Sequence, residues 1–484
     1  MSISTPGGPV VDEAVGETGG ADQASRRLLS PRRAVAVAYV CGIFMSALDM
    51  HIVNVAIPTL GRSFGASIAQ VQWTVVAYLL SLAVVIPASG WVGDRIGMKR
   101  AFLVALGVFT LGSGLCGAAQ SLGELIAARV LQGVGGGMLT PVATALLFRT
   151  FPPEQRMRIT RILIVPILIA PASAPLIGGF LTQSVSWRWV FWVNLPVGVA
   201  TFVVCVLYLE DRQEHLSGGL DVIGMILGAV GLSALVYSIS EAPDKGWTST
   251  PILVAGAVGL VVSTAFVRFE LRHPAPLLRL RLLGDRLFRG TQIVYALTSS
   301  AFLGCLYLTP IFLQELHGQS PLGSGATTFV EAVGVVFTSQ VVGRVYPRFG
   351  PRVLMTFGSV SVGVLLAAAV LIGPHTSLWT IRAWLFVMGG LNAATFLSVQ
   401  SSMFSTISAK DTGHASAIYT AQRQASIAAG IAILSTIVAS QKRHPLEGFH
   451  HAYLGAAALS LLGAAASFWL VRTSDARSTM IRRS

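Results

Sequence analysis

Gly90-Trp91-Val92-Gly93-Asp94-Arg95-Ile96-Gly97-Met98-Lys99-Arg100 is a short charged turn between two long apolar runs, at about 71–92 and 101–119. Glycine permits tight turning and close backbone approach, and one acid among three bases can pair at a membrane face. The segment therefore reads as the connection between two antiparallel spanning helices. It is echoed by Gly343-Arg344-Val345-Tyr346-Pro347-Arg348-Phe349-Gly350, with Pro347 where Asp94 stands. Two like halves are implied, the second without the acid.

The same alternation of apolar run and polar break continues along the chain. Its 484 residues are 53% hydrophobic and 11% charged, with a mean hydropathy of +0.69. A soluble domain carries about 25% charged residues, so this chain cannot cover itself with a polar surface and needs lipid as its solvent. A spanning helix takes about 20 apolar residues. Fourteen runs qualify, at about 34–59, 71–92, 101–119, 123–148, 160–183, 189–209, 221–240, 251–269, 289–313, 323–346, 352–373, 378–403, 412–439 and 451–471. Short breaks separate them, and hydrocarbon tolerates no unpaired backbone, so an all-α bundle is the predicted architecture.

Charge gives the orientation. With the N-terminus on the cytoplasmic side, 26 of the 34 Lys and Arg fall in cytoplasmic segments and 6 on the other side, leaving Arg129 and Arg423 inside spans. That asymmetry follows the positive-inside rule and favours an even number of spans, with both termini cytoplasmic. The net charge of +13 is spread between hydrophobic runs, so it points to no nucleic-acid partner. Residues 1–33 lack the order of a cleaved signal and read as a disordered tail. Cys41, Cys116, Cys205 and Cys305 all lie in apolar runs, where they serve as packing residues rather than disulfides or metal ligands.

A second motif, Ala47-Leu48-Asp49-Met50-His51-Ile52-Val53-Asn54-Val55-Ala56-Ile57-Pro58, places Asp49 inside the first span. An ionisable group there costs roughly 2.5 to 3.5 kcal/mol on the insertion scale and marks function or a buried pairing. This motif resembles the first-helix motif of the fourteen-helix drug:proton antiporters of EmrB/QacA type, and the Gly90–Arg100 turn resembles the cytoplasmic loop motif of the major facilitator superfamily. Arg129-Val130-Leu131-Gln132-Gly133-Val134-Gly135-Gly136-Gly137 is similar to the fourth-helix motif of that superfamily. Pro175-Leu176-Ile177-Gly178-Gly179 looks like its exporter motif, although Ala174 replaces the usual glycine and His51 replaces a usual threonine. The junctions Trp187–Gly198 and Pro310–Gln314 extend the resemblance over nearly all of 34–471.

The resemblance implies two six-helix bundles, 34–210 and 288–472, with an extra helix pair in a 211–287 linker, and a second tail at 473–484. It assigns gating to Gly90, Asp94, Arg95, Gly97 and Arg100, and tight interfacial packing to Pro175, Gly178 and Gly179. Asp49 and Arg129 are implied in proton coupling. Arg129 stays charged and acts on a nearby carboxylate rather than relaying a proton itself. The residues add Glu331, on a stripe with Ser324, Thr327, Thr328 and Thr338, as a second buried acid for coupling or cation binding. Helical spacing groups Tyr295, Ser299 and Phe302 on the ninth span and Asn392, Phe396, Val399 and Met403 on the twelfth. With His51, Asn54 and Glu331 these form a candidate substrate cavity; the alternative is helix-to-helix packing.

The function implied is proton-coupled export of hydrophobic or cationic drug-like compounds across a bacterial inner membrane. The proton gradient is its energy source, with no cofactor or metal. Small-molecule substrates and membrane lipids are the implied partners, the unit is a monomer, and a periplasmic adaptor is left open. Two alternatives stand beside this: a dedicated exporter of one natural product or lipid, and a non-transporting sensor or assembly protein. The sequence has no Walker loop, nucleophile elbow or metal-ligand cluster, so an enzyme is not indicated.

Overall fold

The computed structural model describes residues 30–151, 170–171, 173–209, 221–274, 276–408, 411–441 and 443–476. The predicted tails, apart from 30–33 and 473–476, lie outside these residues, as do 152–169 of the fifth predicted span and 210–220 of the linker. Among the described residues the protein is helical throughout, and twelve helical tracts are long and apolar enough to cross a membrane.

The helices are α1 (Pro31–Ile52), α2 (Trp73–Val85), α3 (Met98–Ala118), α4 (Leu122–Thr150), α5 (Asn194–Tyr208), α6 (Val222–Lys245), α7 (Thr250–Arg272), α8 (Arg286–Glu315), α9 (Pro321–Ala368), α10 (Leu378–Ser402), α11 (Thr412–Ser440) and α12 (Pro445–Leu470). Their starts follow local chemistry. Ser30, Asp285 and Ser320 accept hydrogen bonds from Arg33 N, Phe288 N and Gly323 N at 3.4, 2.8 and 3.1 Å, satisfying amides that a helix start leaves unpaired. After α1 the chain tightens into a 3-10 turn, Val53–Ala56, before Ile57–Phe64. Pro58 is the cause: it lacks the N–H owed to the Asn54 carbonyl, and its ring crowds that carbonyl.

Where a loop was expected between 346 and 352, α9 runs on with one non-helical residue, Gly350, at φ 74° and ψ 171°. Gly97, its counterpart in the first turn, has φ 87° and ψ 143°. The two segments that echo each other in sequence thus end on glycines in nearly the same unusual conformation, which L side chains avoid.

Helices α1 to α5 pack on one another, and α8 to α12 do likewise, while α2 against α11 joins the two groups. Gln72, just before α2, accepts a hydrogen bond from Ser435 of α11. The α6–α7 pair lies at the edge of this body. Only 11% of the apolar window of α7 is buried, against 78% for α8. Helix α6 straddles the seam: Trp73 Nε1 donates to Glu241 at 3.0 Å, and Thr436 Oγ1 donates to the Ile239 carbonyl at 3.0 Å.

Candidate functional site

A cavity of about 490 Å³ lies between the two helix groups. His51, Asn54, Tyr295, Ser299, Phe302, Glu331, Asn392 and Phe396 all line it. Val399 and Met403 do not; they are buried in a cluster with Val294 and Met355. The polar stripe of α9 also divides. Thr328 and Glu331 face the cavity, whereas Ser324 donates to the Pro310 carbonyl and Thr327 accepts from Arg382. Thr338 sits where a Cβ on Gly390 would meet its hydroxyl at 2.5 Å. A helix stripe three to four residues wide is broader than the cavity, so its edges pack against α8 and α10.

Glu331 is 9% exposed, and among the described residues its carboxyl group has neither a hydrogen bond nor an ion pair. Opposite-sign charge comes from Arg423 of α11, which also lines the cavity and lies beside the Tyr295 and Tyr419 hydroxyls. Asn54 Oδ1, Arg423 Nε and Gln424 Oε1 have no hydrogen-bond partner. Buried polar atoms in a folded protein are ordinarily paired, so this lining is built to meet water or a ligand. Of its aromatic lining, Tyr295 stands 6.0 Å from Phe396, and Tyr295 is also 5.1 Å from the buried Tyr419 ring, centroid to centroid.

Asp49 and Arg129 occupy a separate place. Both are fully buried, and Arg129 Nη1 meets Asp49 Oδ2 at 2.6 Å. Asp49 Oδ1 accepts from Gln132 Nε2 at 2.8 Å and from Asn194 Nδ2 at 3.2 Å. Arg129 also donates to the Thr74 carbonyl at 2.8 Å and stacks over the Tyr78 ring at 4.0 Å. None of these four polar side chains lines the cavity, although Met50 and Gly136 beside them do. The glycines after Arg129 make the closeness possible. A Cβ on Gly133 would strike the Tyr78 carbonyl at 2.8 Å, and one on Gly135 would strike the backbone of Ala105 and Phe109.

The cavity is capped on the side away from the start of α1. A Cβ on Gly178 would come 2.6 Å from the Ile52 carbonyl, and one on Gly179 2.5 Å from that of Pro321. One on Gly325 would run into the Pro175 carbonyl. Gly178 thus packs on α1 within its own group, while Pro175 and Gly179 touch the start of α9 in the other. Gln314 Nε2 reaches the Val55 carbonyl at 2.9 Å, Leu322 N reaches Gln183 at 3.2 Å, and exposed Arg62 lies 3.4 Å from Glu315. Gly179→Val should hold this side apart, because two methyls have no room against Pro321 and Leu322. Disulfide formation between Arg62→Cys and Glu315→Cys should fall several-fold in that variant. Unchanged crosslinking would show that the cap yields without opening.

In the Gly90–Arg100 turn, Gly93 has Met98 at 2.7 Å from where its Cβ would be, while Gly90 has open space. Arg95 lies over the Trp91 ring at 5.5 Å, and Lys99 Nζ donates to the carbonyls of Val206 and Leu209 at 3.1 and 2.5 Å. Gly97 makes the reversal, and Arg100 lies in the first turn of α3. The side chain of Asp94 lies outside the described residues.

The model of the Major Facilitator Superfamily matches residues 39–431. The chain belongs to that superfamily. It is 31% identical over 409 residues to the multidrug resistance protein B homolog of Mycobacterium tuberculosis, covering 83% of this chain and 75% of that one. It is 34% identical over 377 residues to the putative multidrug resistance protein MdtD of Yersinia enterocolitica, covering 76% and 78%. Among solved structures, a D-xylose–proton symporter aligns with a TM-score of 0.66 at 14% identity, over 92% of this chain and 99% of its own. The POT family transporter PepTSo aligns at 0.65 and 13%, over 93% and 98%. At those identities the likeness is one of fold.

The protein is therefore a multi-pass membrane transporter, of a family whose members bind small-molecule substrates and are not an enzyme class. Sequence reading missed Arg423 as a cavity residue. The signal was available: a lone arginine in mid-span is as costly as Asp49, but no motif surrounded it. The structure also separates the two acids, placing only Glu331 in the cavity.

Proposed function

We propose that the protein is a fourteen-span antiporter that exchanges protons for hydrophobic or cationic drug-like molecules, exporting them across a bacterial inner membrane. The observation that carries this is Glu331, a carboxyl group unpaired among the described residues, in a cavity between the two helix groups whose lining mixes aromatic and apolar side chains with a few polar ones and Arg423. A proton or a cation neutralises it equally well, and the two exclude one another. A cavity of this size suits a drug-sized ligand, and relatives at 31 and 34% identity carry multidrug resistance in their names.

The count of fourteen is supported by α9, whose break at Gly350 makes it two spans, and by the helical stretch at 173–184. The bundles are 34–210 and 288–472, with the extra pair between. The basic loops put both termini in the cytoplasm, so the capped side is periplasmic and the cavity belongs to a cytoplasm-facing state. Asp49 and Arg129 supply a second proton site that opens only when α1 and α4 part. The unit is a monomer driven by the proton gradient without a cofactor, and an adaptor partner is left open. A single natural-product substrate is the alternative, with no observation that favours it over a broad range.

The test is proton flux in proteoliposomes against a panel of dyes and antibiotics, in which substrate-dependent proton release is expected and its absence across the panel would refute antiport. Phe302→Ala and Phe396→Ala should alter the profile unevenly, because each lost aromatic contact is worth only about 0.5 to 1.5 kcal/mol beyond area. A uniform loss with poor expression would assign both rings to packing.

A further inference from the structure

Helices α2, α8 and α11 have a second cavity on their other side. It measures about 540 Å³ and lies between them and α6, with the linker residues Leu277 to Leu283 at its mouth. The three helices form a wall one layer thick. On α8, Tyr295 and Ser299 face the central cavity, while Gln292 and Ala296 face this one; on α11, Arg423 and Gln424 face inward, and Gln422 and Ala425 outward.

The lining is graded along the membrane normal. Exposed Arg289 stands at the mouth, donating to the Leu283 carbonyl at 3.1 Å and to no carboxylate among the described residues. About one turn deeper is Gln292, which is 4% exposed with neither its Nε2 nor its Oε1 partnered. Gln422 beside it leaves its Oε1 unpartnered, while its Nε2 donates to Ser426 at 2.9 Å. Beyond these the lining is mostly apolar, with Ala83, Val84, Leu232, Phe266 and Ala425, and Ser263 is its polar exception. The linker at the mouth is held in place because Glu270 and Asp221 accept the backbone N–H groups of Leu278 and Leu277 at 2.9 and 3.4 Å. A cation at the interface, a complete amide one turn inside and a hydrocarbon-like slot beyond match an amphiphile's charge, ester region and chain in that order.

We propose that this cavity is a binding site for one phospholipid of the adjoining leaflet, its phosphate at Arg289, its ester region on Gln292 and an acyl chain along α6. The orphaned Gln292 amide is the deciding feature: an empty apolar pocket would favour leucine there, since a buried amide without a partner destabilises the fold. The extra helix pair then acts as a holder that seals the wall of the central cavity with lipid. The inference rests on the membrane fold and is independent of whether transport is proton-coupled.

The test uses the full-length protein in mild detergent, with palmitoyl-oleoyl phosphatidylglycerol as the probe, read by native mass spectrometry and by melting temperature. The wild type should retain one lipid under conditions that strip the rest, and should melt higher as lipid is added. Ala229→Phe, which fills the slot, should lower retention by about tenfold or more, a change of about 1.4 kcal/mol or greater. Gln292→Leu should melt higher than the wild type without lipid and lose the lipid-dependent rise. If Ala229→Phe does not give a single species on size exclusion, Gln292→Leu decides. No retained lipid, equal retention in both variants, or displacement of the lipid by a transported dye would overturn the assignment.

Discussion

Glu331→Gln should abolish uphill transport and lower the binding of cationic substrates by about tenfold or more, since a tenfold change needs only 1.4 kcal/mol and two charges about 4 Å apart at an effective dielectric of 20 interact by about 4 kcal/mol. The amide keeps the shape of the side chain but can neither titrate nor attract a cation. Among the described residues of the cavity lining, Glu331 and Arg423 are the acid and the base that can carry opposite charges. With the carboxylate ionised they offset one another, and a cation can be held. Once a proton arrives, Arg423 is left as the uncompensated charge and repels a cationic substrate. The glutamine variant is fixed in that second condition. Neutral substrates should therefore still bind, and their downhill movement should survive. The measurement is dye accumulation in proteoliposomes under an imposed pH gradient, alongside equilibrium binding of matched cationic and neutral compounds. Uphill transport by Glu331→Gln would move the coupling elsewhere, and equal losses for both charges would remove Arg423 from the argument.

The helical class and most spans were legible because hydropathy alone specifies them, and the apolar runs at 101–119 and 378–403 correspond closely to α3 and α10. The joint near Gly350 was not legible as a one-residue break. Its Pro347 and Pro351 suggest a loop, and only the backbone shows helical bonding carried to either side of the glycine. In the site, Tyr295, Ser299 and Phe302, which spacing puts on one face, all line the cavity. Face alone does not distinguish a cavity from a neighbouring helix, which is why Val399 and Met403, one and two turns beyond Phe396, turned out to be packed. Asp49 and Glu331 looked alike in the sequence, as isolated acids in apolar runs. What divides them is a partner eighty residues away: Arg129 reaches Asp49, whereas no cation among the described residues reaches Glu331.

That partner also reverses one expectation about Asp49. From sequence, Asp49→Asn is a change that removes titration and leaves the fold alone. In the structure it leaves the Arg129 guanidinium fully buried and without its counter-charge, and removing one member of such a pair costs about 3 to 5 kcal/mol. Arg129 Nη2 already lacks a partner, so losing the carboxylate leaves the guanidinium still less satisfied. The single variant should express poorly and melt well below the wild type. Arg129→Gln should also destabilise, by stranding the carboxylate among Gln132 and Asn194. The double variant Asp49→Asn/Arg129→Gln should recover most of the loss, because two amides can pair with each other and with Gln132 and Asn194 without a net charge to solvate. A double-mutant cycle on melting temperature measures that recovery, and additive losses would mean that the 2.6 Å contact contributes little to the folded state. Transport by the rescued protein then separates stability from coupling. If the pair is the second proton site, the double variant should fold and bind dye but fail to accumulate it under a pH gradient. Wild-type accumulation would confine Asp49 and Arg129 to holding α1 against α4, leaving Glu331 to carry the proton alone.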